Sequence, residues 1–523
     1  MENNEKTVRL AKPRKKGIIG IIFSKYLGVF LLIIVQVLII ITIYMWLFDL
    51  LPFLVYIYSG FAIVMIIYLF NNRMDSSAKL TWMLIISLVP IAGAILLWMS
   101  QTNAGHRKEI KLVNEQIELS RDLLPETEET VKKAIREDAL TVDLEHYVGK
   151  IVGHPVYDRT KVTYFPIGEA KFEAMLDELE KARKYIFLEY FIIDEGYMWG
   201  RILEVLIRKV KEGVDVRVMY DGLTDLTTLP TDYWKLLEKE GIKAKTFSPL
   251  KPILSTDLNY RDHRKILVID GETAFNGGIN LADEYINKIE RFGHWKDTAI
   301  MLKGAAVQSF TLMFLQMWNI GEENPDYKSY LGNTGKTPAD ANGYVLPYYE
   351  NPLDDYKSAE AVYIDILCRA DKYVHIMTPY LILDDELKSA LCFAAQRGVD
   401  VKLILPGIPD KKMAYALAKT HYIGLIKSGV KIYEYTPGFV HAKIFVSDDI
   451  RAVVGTINLD YRSLYHHFEC ATYMYKTDCI KEIEEDFGQT LLKCRQASEE
   501  TIRNEKFSRK LLGSIAKVLA PLM

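Results

Sequence analysis

HRKILVIDGETAFNGGINL (residues 263–281) and HAKIFVSDDIRAVVGTINL (residues 441–459) are one pattern written twice. A single constant offset lays His441 on His263, Lys443 on Lys265, Asp448 on Asp270, Gly455 on Gly277 and Asn458 on Asn280. From 10 His, 65 Lys and Arg, and 68 Asp and Glu in 523 residues, chance supplies about 0.16 matches to His-x-basic-x4-acidic. Two matches, each with an Asn at the same distance beyond its His, therefore mark a duplicated unit.

The surrounding sequence repeats as well. YIFLEYFII (Tyr185–Ile193) reads as a strand, GRILEVLIRKVKEG (Gly200–Gly213) has helical spacing and ends on a glycine, and VDVRVMYDG follows as a second strand. The same order returns with YVHIMTPYLIL from Tyr373, LKSALCFAAQRG, and VDVKLILPG ending at Gly407. Units of this kind predict parallel strands with helices on the sheet faces. The expected fold is α/β: two similar lobes, residues 150–345 and 346–500, forming a pseudo-dimer about one shared active site.

Residues i and i+2 of a strand face the same way, so each His shares a face with its Lys. Two lobes brought together gather two His, two Lys and two Asn (Asn280 and Asn458) around one space. The glycines at 277, 278 and 455, with Thr456 after the last, let backbone approach a ligand or support it. Two ammonium groups and two amides suit a single phosphate. One imidazole, neutral, attacks phosphorus, and the other, protonated, serves the leaving alcohol; a free pKa of about 6.5 permits both states. Nitrogen attack gives a phosphohistidine and divides one hard displacement into two easier ones. The lysines supply the positive charge, so neither a metal nor a cofactor is expected.

Asp270 and Asp448 stand among the catalytic candidates with His263, Lys265, His441 and Lys443, but each follows its histidine at an odd offset. Along a continuous strand they face away from their histidines, which suits a structural part in the following turn. Asp297 in HWKDT and Glu469, further along the chain than His441, are better placed to orient an imidazole.

The first hundred residues are of another kind. Tyr26–Phe48, Leu51–Phe70 and Trp82–Met99 are long runs without a formal charge. Such lengths span roughly 27–35 Å as helix, against a hydrocarbon core of about 30 Å. Residues 1–104 are therefore read as a membrane anchor of transmembrane helices in a multi-pass protein of the cell membrane, and 105–149 as a charged, solvated connector. Lys6, Arg9, Lys12, Arg14, Lys15, Lys16 and Lys25 put the N-terminus in the cytoplasm, but the side that carries the active site depends on how many runs cross. Residues 501–523 form a basic amphipathic segment, suited either to anionic lipid or to packing on the domain. A net charge of −3 argues against a nucleic-acid partner, and five cysteines without a C-x-x-C pair suggest neither a disulfide framework nor zinc.

The duplicated H-x-K-x4-D…G-[GST]-x-N pattern resembles the phospholipase D superfamily, and the likeness extends to bacterial cardiolipin synthases. NYRDHRKILVIDGETAFNGGINLADEY is similar to their first motif and FVHAKIFVSDDIRAVVGTINLDYRSLYHHFE to their second. WMLIISLVPIAGAILLW and the ending LLGSIAKVLAPLM fit too, so the likeness covers nearly the whole chain. It departs at Asp262, where an Asn is common, at Thr456, where a Ser is, and at His467, where an Asn is. The resemblance implies two phospholipase D-like lobes that turn two phosphatidylglycerol molecules into cardiolipin and glycerol. One phosphodiester replaces another, so no nucleotide is required, and the chain has no Walker-type loop. The resemblance implies His263 as nucleophile and His441 as acid and base, although the two copies by themselves do not order the pair. A hydrolytic phospholipase D, a phosphatidylserine synthase of the same superfamily and a non-catalytic scaffold for anionic lipid are the other readings.

Overall fold

Lys265–Ile269 and Ile444–Ser447, the strands of the two motifs, are buried at every position and run through the middle of two sheets. In the computed structural model the described residues are 7–11, 38, 42, 54–102, 107–124, 128–138, 144–248, 260–332, 335 and 337–522. The first sheet runs Thr160–Phe165, Ala299–Gly304, Thr273–Gly277, Lys265–Ile269, Tyr185–Tyr190, Asp215–Asp221, Lys243–Phe247. The second runs Tyr344–Glu350, His467–Tyr475, Arg451–Gly455, Ile444–Ser447, Tyr373–Met377, Asp400–Pro406, Lys431–Tyr435, with Cys494–Gln496 at its edge. The two orders correspond strand for strand up to that added edge. The predicted strand–helix–strand units are parallel pairs, Tyr185 against Asp215 and Tyr373 against Asp400. Each motif strand instead turns back on itself and is antiparallel to both of its neighbours. The sheets are therefore mixed, because a turn as short as 270–272 can only make a hairpin.

Asp270 and Asp448 begin those turns in the left-handed region, at φ 55° and 56°. The Asp270 carboxylate accepts the backbone N–H groups of Arg183 (2.8 Å), Lys184 (2.7 Å) and Tyr185 (2.8 Å). Asp448 does the same for Asp371, Lys372 and Tyr373, each at 2.9 Å. Neither is catalytic in position: each lies at the opposite end of its strand from the histidine. Each pins the start of the neighbouring strand, Tyr185–Tyr190 or Tyr373–Met377, rather than the turn that follows.

Phe187, Ile266, Val268 and Ile300 of the first sheet share a core with Ile444, Val446, Val454 and Met474 of the second. Helices Val307–Trp318 and Cys479–Leu491 contribute to the same core. The described residues of the expected connector (105–149), namely 107–124, 128–138 and 144–149, pack on the lobes rather than standing in solvent. Gln316 Nε2 donates to Ser120 Oγ of helix Arg107–Ser120 (2.8 Å) and Tyr327 OH to Gln116 Oε1 (2.8 Å), while Val131 and Ala134 enter the core of the second lobe.

The third hydrophobic run does not form one span. It breaks at Val89 (φ −141°, ψ 70°) into helices Ser76–Leu88 and Pro90–Thr102, because proline lacks an N–H and drives the residue before it out of the helical region. Gly93 lets the second piece fold back on the first, for a Cβ there would lie 3.1 Å from Ile86. The second run supplies helix Leu54–Asn71. No helix among the described residues is long and apolar enough to cross a membrane. Apart from Leu38 and Thr42, the first run lies outside the described residues.

Asp270→Ala removes the common acceptor of three backbone donors and is expected to lower stability by about 2 kcal/mol, read as a lower denaturation midpoint of the purified protein.

Candidate active site

Each motif histidine is clipped to the other lobe. Arg261–Asp262 pairs in parallel with His467–Phe468, and the His263 N–H donates to Phe468 O (2.9 Å). Gly438–Val440 pairs in parallel with His294–Lys296, and the His441 N–H donates to Lys296 O (2.7 Å). The strands that make these clips carry the orienting carboxylates or lead straight into them. His263 Nδ1 lies 2.8 and 2.9 Å from the oxygens of Glu469, and His441 Nδ1 lies 2.6 Å from Asp297 Oδ2. Each imidazole is thus held by a carboxylate of the opposite lobe, which leaves both Nε2 atoms free.

Both rings open on one cavity of about 410 Å³, lined also by Asn280, Asn458, Tyr285 and Arg462. The Asn280 amide is occupied by the Ile192 N–H (3.0 Å) and by Tyr285 OH (2.7 Å), whereas Asn458 Oδ1 has no protein partner. Gly278 and Thr456 serve the carboxylates. A Cβ at 278 would fall 2.1 Å from Asp297 Oδ1, and the Thr456 hydroxyl donates to Glu469, which also accepts from Ser463 Oγ (2.6 Å). One position of the repeat therefore makes room for one carboxylate and binds the other. Asp262, a departure from the common pattern, sits in a buried ion pair with Arg264 beside Glu189.

Lys265 and Lys443 are buried below the rings, each donating to the carbonyl of its own histidine, and Lys443 Nζ lies 2.9 Å from His441 Nδ1. Burial lowers Lys265 to about 8 and Lys443 to about 7. Lys171 joins them, its ammonium bonded to Tyr190 OH (3.2 Å) and Ile279 O (3.3 Å) and lowered by burial to about 7. It belongs to helix Gly168–Leu179, outside both motifs, and no spacing in the sequence points to it. Burial, with Lys265 beside it, holds His263 well below the usual imidazole value. Burial and Lys443 lower His441 to about 4, against the pull of Asp297. Both imidazoles are therefore neutral at neutral pH, and an arriving phosphodiester anion favours their protonated forms and those of the lysines.

His467 is a third imidazole of the site. Its ring lies 5.5 Å from that of His263, and neither nitrogen has a hydrogen-bond partner. His263, His467 and Glu469 bring three ligand-type atoms within 4.8 Å of one another, although Glu469 and His263 are already engaged with each other.

Comparison with known proteins follows the same two halves. Residues 175–318 and 363–491 match the family model described as "Cardiolipin synthase, PLD-like domain". An uncharacterized protein of Streptococcus mutans is 56% identical over 88% of this chain and 99% of its own length. Proteins named cardiolipin synthase from Alkalihalophilus pseudofirmus and cardiolipin synthase 2 from Bacillus anthracis are each 33% identical, over 88% and 89% of this chain and 91% and 90% of their own. The crystal structure of a phosphatidylserine synthase from Haemophilus influenzae superposes with a TM-score of 0.54 at 15% identity, covering 69% of this chain and 95% of that one, a likeness of fold.

Glu469→Gln and Asp297→Asn each keep the volume but put an amide in place of the carboxyl group that holds the opposite lobe's histidine. Each is expected to lower kcat by about 10²–10⁴-fold, measured on variants whose melting is unchanged. Inorganic phosphate binding at pH 8 is expected to take up protons, since its charge raises lysines that stand at about 7 and 8. Calorimetry in two buffers of different ionisation enthalpy reads the sign, and proton release would contradict the electrostatics described here.

Proposed function

Because the chain belongs to the cardiolipin synthase family of the phospholipase D superfamily, we propose that it transfers a phosphatidyl group from one phosphatidylglycerol to another, giving cardiolipin and glycerol. The observation that carries this reading is the single cavity onto which both carboxylate-held histidines open. His263 Nε2 attacks phosphorus; the N–P bond forms, the P–O bond to glycerol breaks, and His441 Nε2 gives the leaving oxygen its proton. A hydroxyl of the second phosphatidylglycerol then attacks the phosphohistidine, passing its proton to His441 as the P–N bond breaks. The surroundings of the two rings support this order: burial and Lys265 hold His263 well below the usual imidazole value, whereas Asp297 pulls His441 back toward its protonated form. The buried Lys265, Lys443 and Lys171 supply positive charge for the phosphate.

The substrate resides in a bilayer, and the hydrophobic runs Tyr26–Phe48 and Leu51–Phe70 hold the enzyme there as a multi-pass protein. Two observations support a site on the N-terminal, cytoplasmic side. The backbone N–H groups of Leu10 and Ala11 donate to Glu195 of the first lobe (3.2 and 3.3 Å), so chain preceding the first run touches the catalytic unit. The third run doubles back at Pro90, so its two ends lie on the same side.

Purified enzyme in phosphatidylglycerol vesicles is expected to yield cardiolipin and glycerol by mass spectrometry; phosphatidic acid without cardiolipin would make it a hydrolase. Both His263→Ala and His441→Ala are expected to lose several orders of magnitude in rate. A phosphatidyl p-nitrophenol, whose leaving group needs no acid, is expected to restore release of p-nitrophenol to His441→Ala and not to His263→Ala, and the reverse result would exchange their roles. A fluorescent protein fused after Met523 is expected to remain in the cytoplasm, inaccessible to protease added to intact spheroplasts.

A further inference from the structure

Helix Phe507–Leu519 has two unlike sides. Gly513 and Ala516 face the protein, so close to helix Lys412–Lys427 that a Cβ on Gly513 would lie 2.4 Å from Ala416 O. On the opposite side, at i, i+4, i+8 and i+11, stand Phe507 (79% exposed), Leu511 (49%), Ile515 (54%) and Val518 (41%). Lys506, Lys510 and Lys517 run along one flank of that stripe. A helix of this length spans roughly 20 Å, too short to cross a bilayer. An apolar stripe edged with lysines has the form of a helix lying in an anionic interface.

We propose that this helix lies in the surface of an anionic lipid leaflet and sets the mouth of the catalytic cavity against the membrane. The inference rests on the lipid-transfer reading above. Continuity favours a bilayer as the occupant. Thr81 Oγ1 donates to Val518 O (2.6 Å), joining the helix to the hydrophobic hairpin, whose Leu80, Leu84, Leu88 and Ile91 are exposed as well. Charge agrees, since the lysine flank complements anionic headgroups, the proposed substrate among them. The place is also right: Ala516 and Ala520 pack with Leu417 and Tyr461, and Tyr461 lies between Asp460 and Arg462, both in the cavity wall.

The test uses the full chain in vesicles of phosphatidylcholine and phosphatidylglycerol. Leu511→Glu with Ile515→Glu is expected to lower turnover of vesicle phosphatidylglycerol about tenfold relative to turnover of a soluble short-chain phosphatidylglycerol. The ratio of the two rates cancels any general loss of folded enzyme, and an unchanged ratio overturns the proposal. A fluorophore on Ile515→Cys, with Cys368, Cys392 and Cys494 replaced by Ser, is expected to be quenched by lipids brominated along the acyl chain. Absence of quenching overturns it, as does energy transfer between labelled chains without lipid quenching, which would assign the stripe to a second copy. Quenching does not depend on turnover. Quenching of the labelled variant together with a wild-type protein that makes no cardiolipin would therefore sink the transfer reading and leave the docking surface standing.

Discussion

The exchange of carboxylates between the lobes is the contact on which the site depends. His263 is oriented by Glu469 and His441 by Asp297, each over a parallel strand pair formed with the other half of the chain. Neither lobe holds a finished catalytic histidine by itself. A shift of one lobe against the other would unseat both imidazoles together, since the same clips set the lobe interface and the ring orientation. The mixed core beneath, with Ile266 and Val268 of one sheet packed near Ile444 and Val446 of the other, resists such a shift by burying apolar surface from both sides.

Burial makes the second contribution. Three lysines, three imidazoles and two carboxylates lie in a site with little access to water. Charges so placed are costly alone, so the lysines are drawn toward their neutral forms and the imidazoles stay uncharged. An anionic phosphodiester relieves that cost by pairing with them, and its binding and the protonation of the site therefore favour each other. In the proposed transfer, attack and leaving-group protonation need one neutral and one charged imidazole, and a phosphate anion beside the rings favours the charged one.

The repeat made much of this legible. The constant offset between the copies implied two equal lobes; both motif histidines line one cavity, and each lysine lies buried beside its histidine, donating to that residue's carbonyl. Asp297 and Glu469 were visible as carboxylates at suitable distances along the chain, but not the crossing of their assignments, which needs both lobes in place. Asp270 and Asp448 misled as members of the motif, because a residue repeated for a hairpin clamp leaves the same trace as one repeated for chemistry. Lys171 and the unpartnered ring of His467 left no periodic signal at all.

The amino-acid order by itself determined what is local or periodic: which segments are strands, which residue types recur, and which stretches of the first hundred residues carry no charge. Tertiary structure decided what depends on distance in space. It set which carboxylate meets which imidazole, which glycine clears room for which oxygen, and that helix Arg107–Ser120 packs on the first lobe while Val131 and Ala134 enter the core of the second. The division has a physical cause. Backbone sterics and side-chain alternation act over a few residues, whereas a hydrogen bond across 206 positions exists only once packing has closed the chain upon itself.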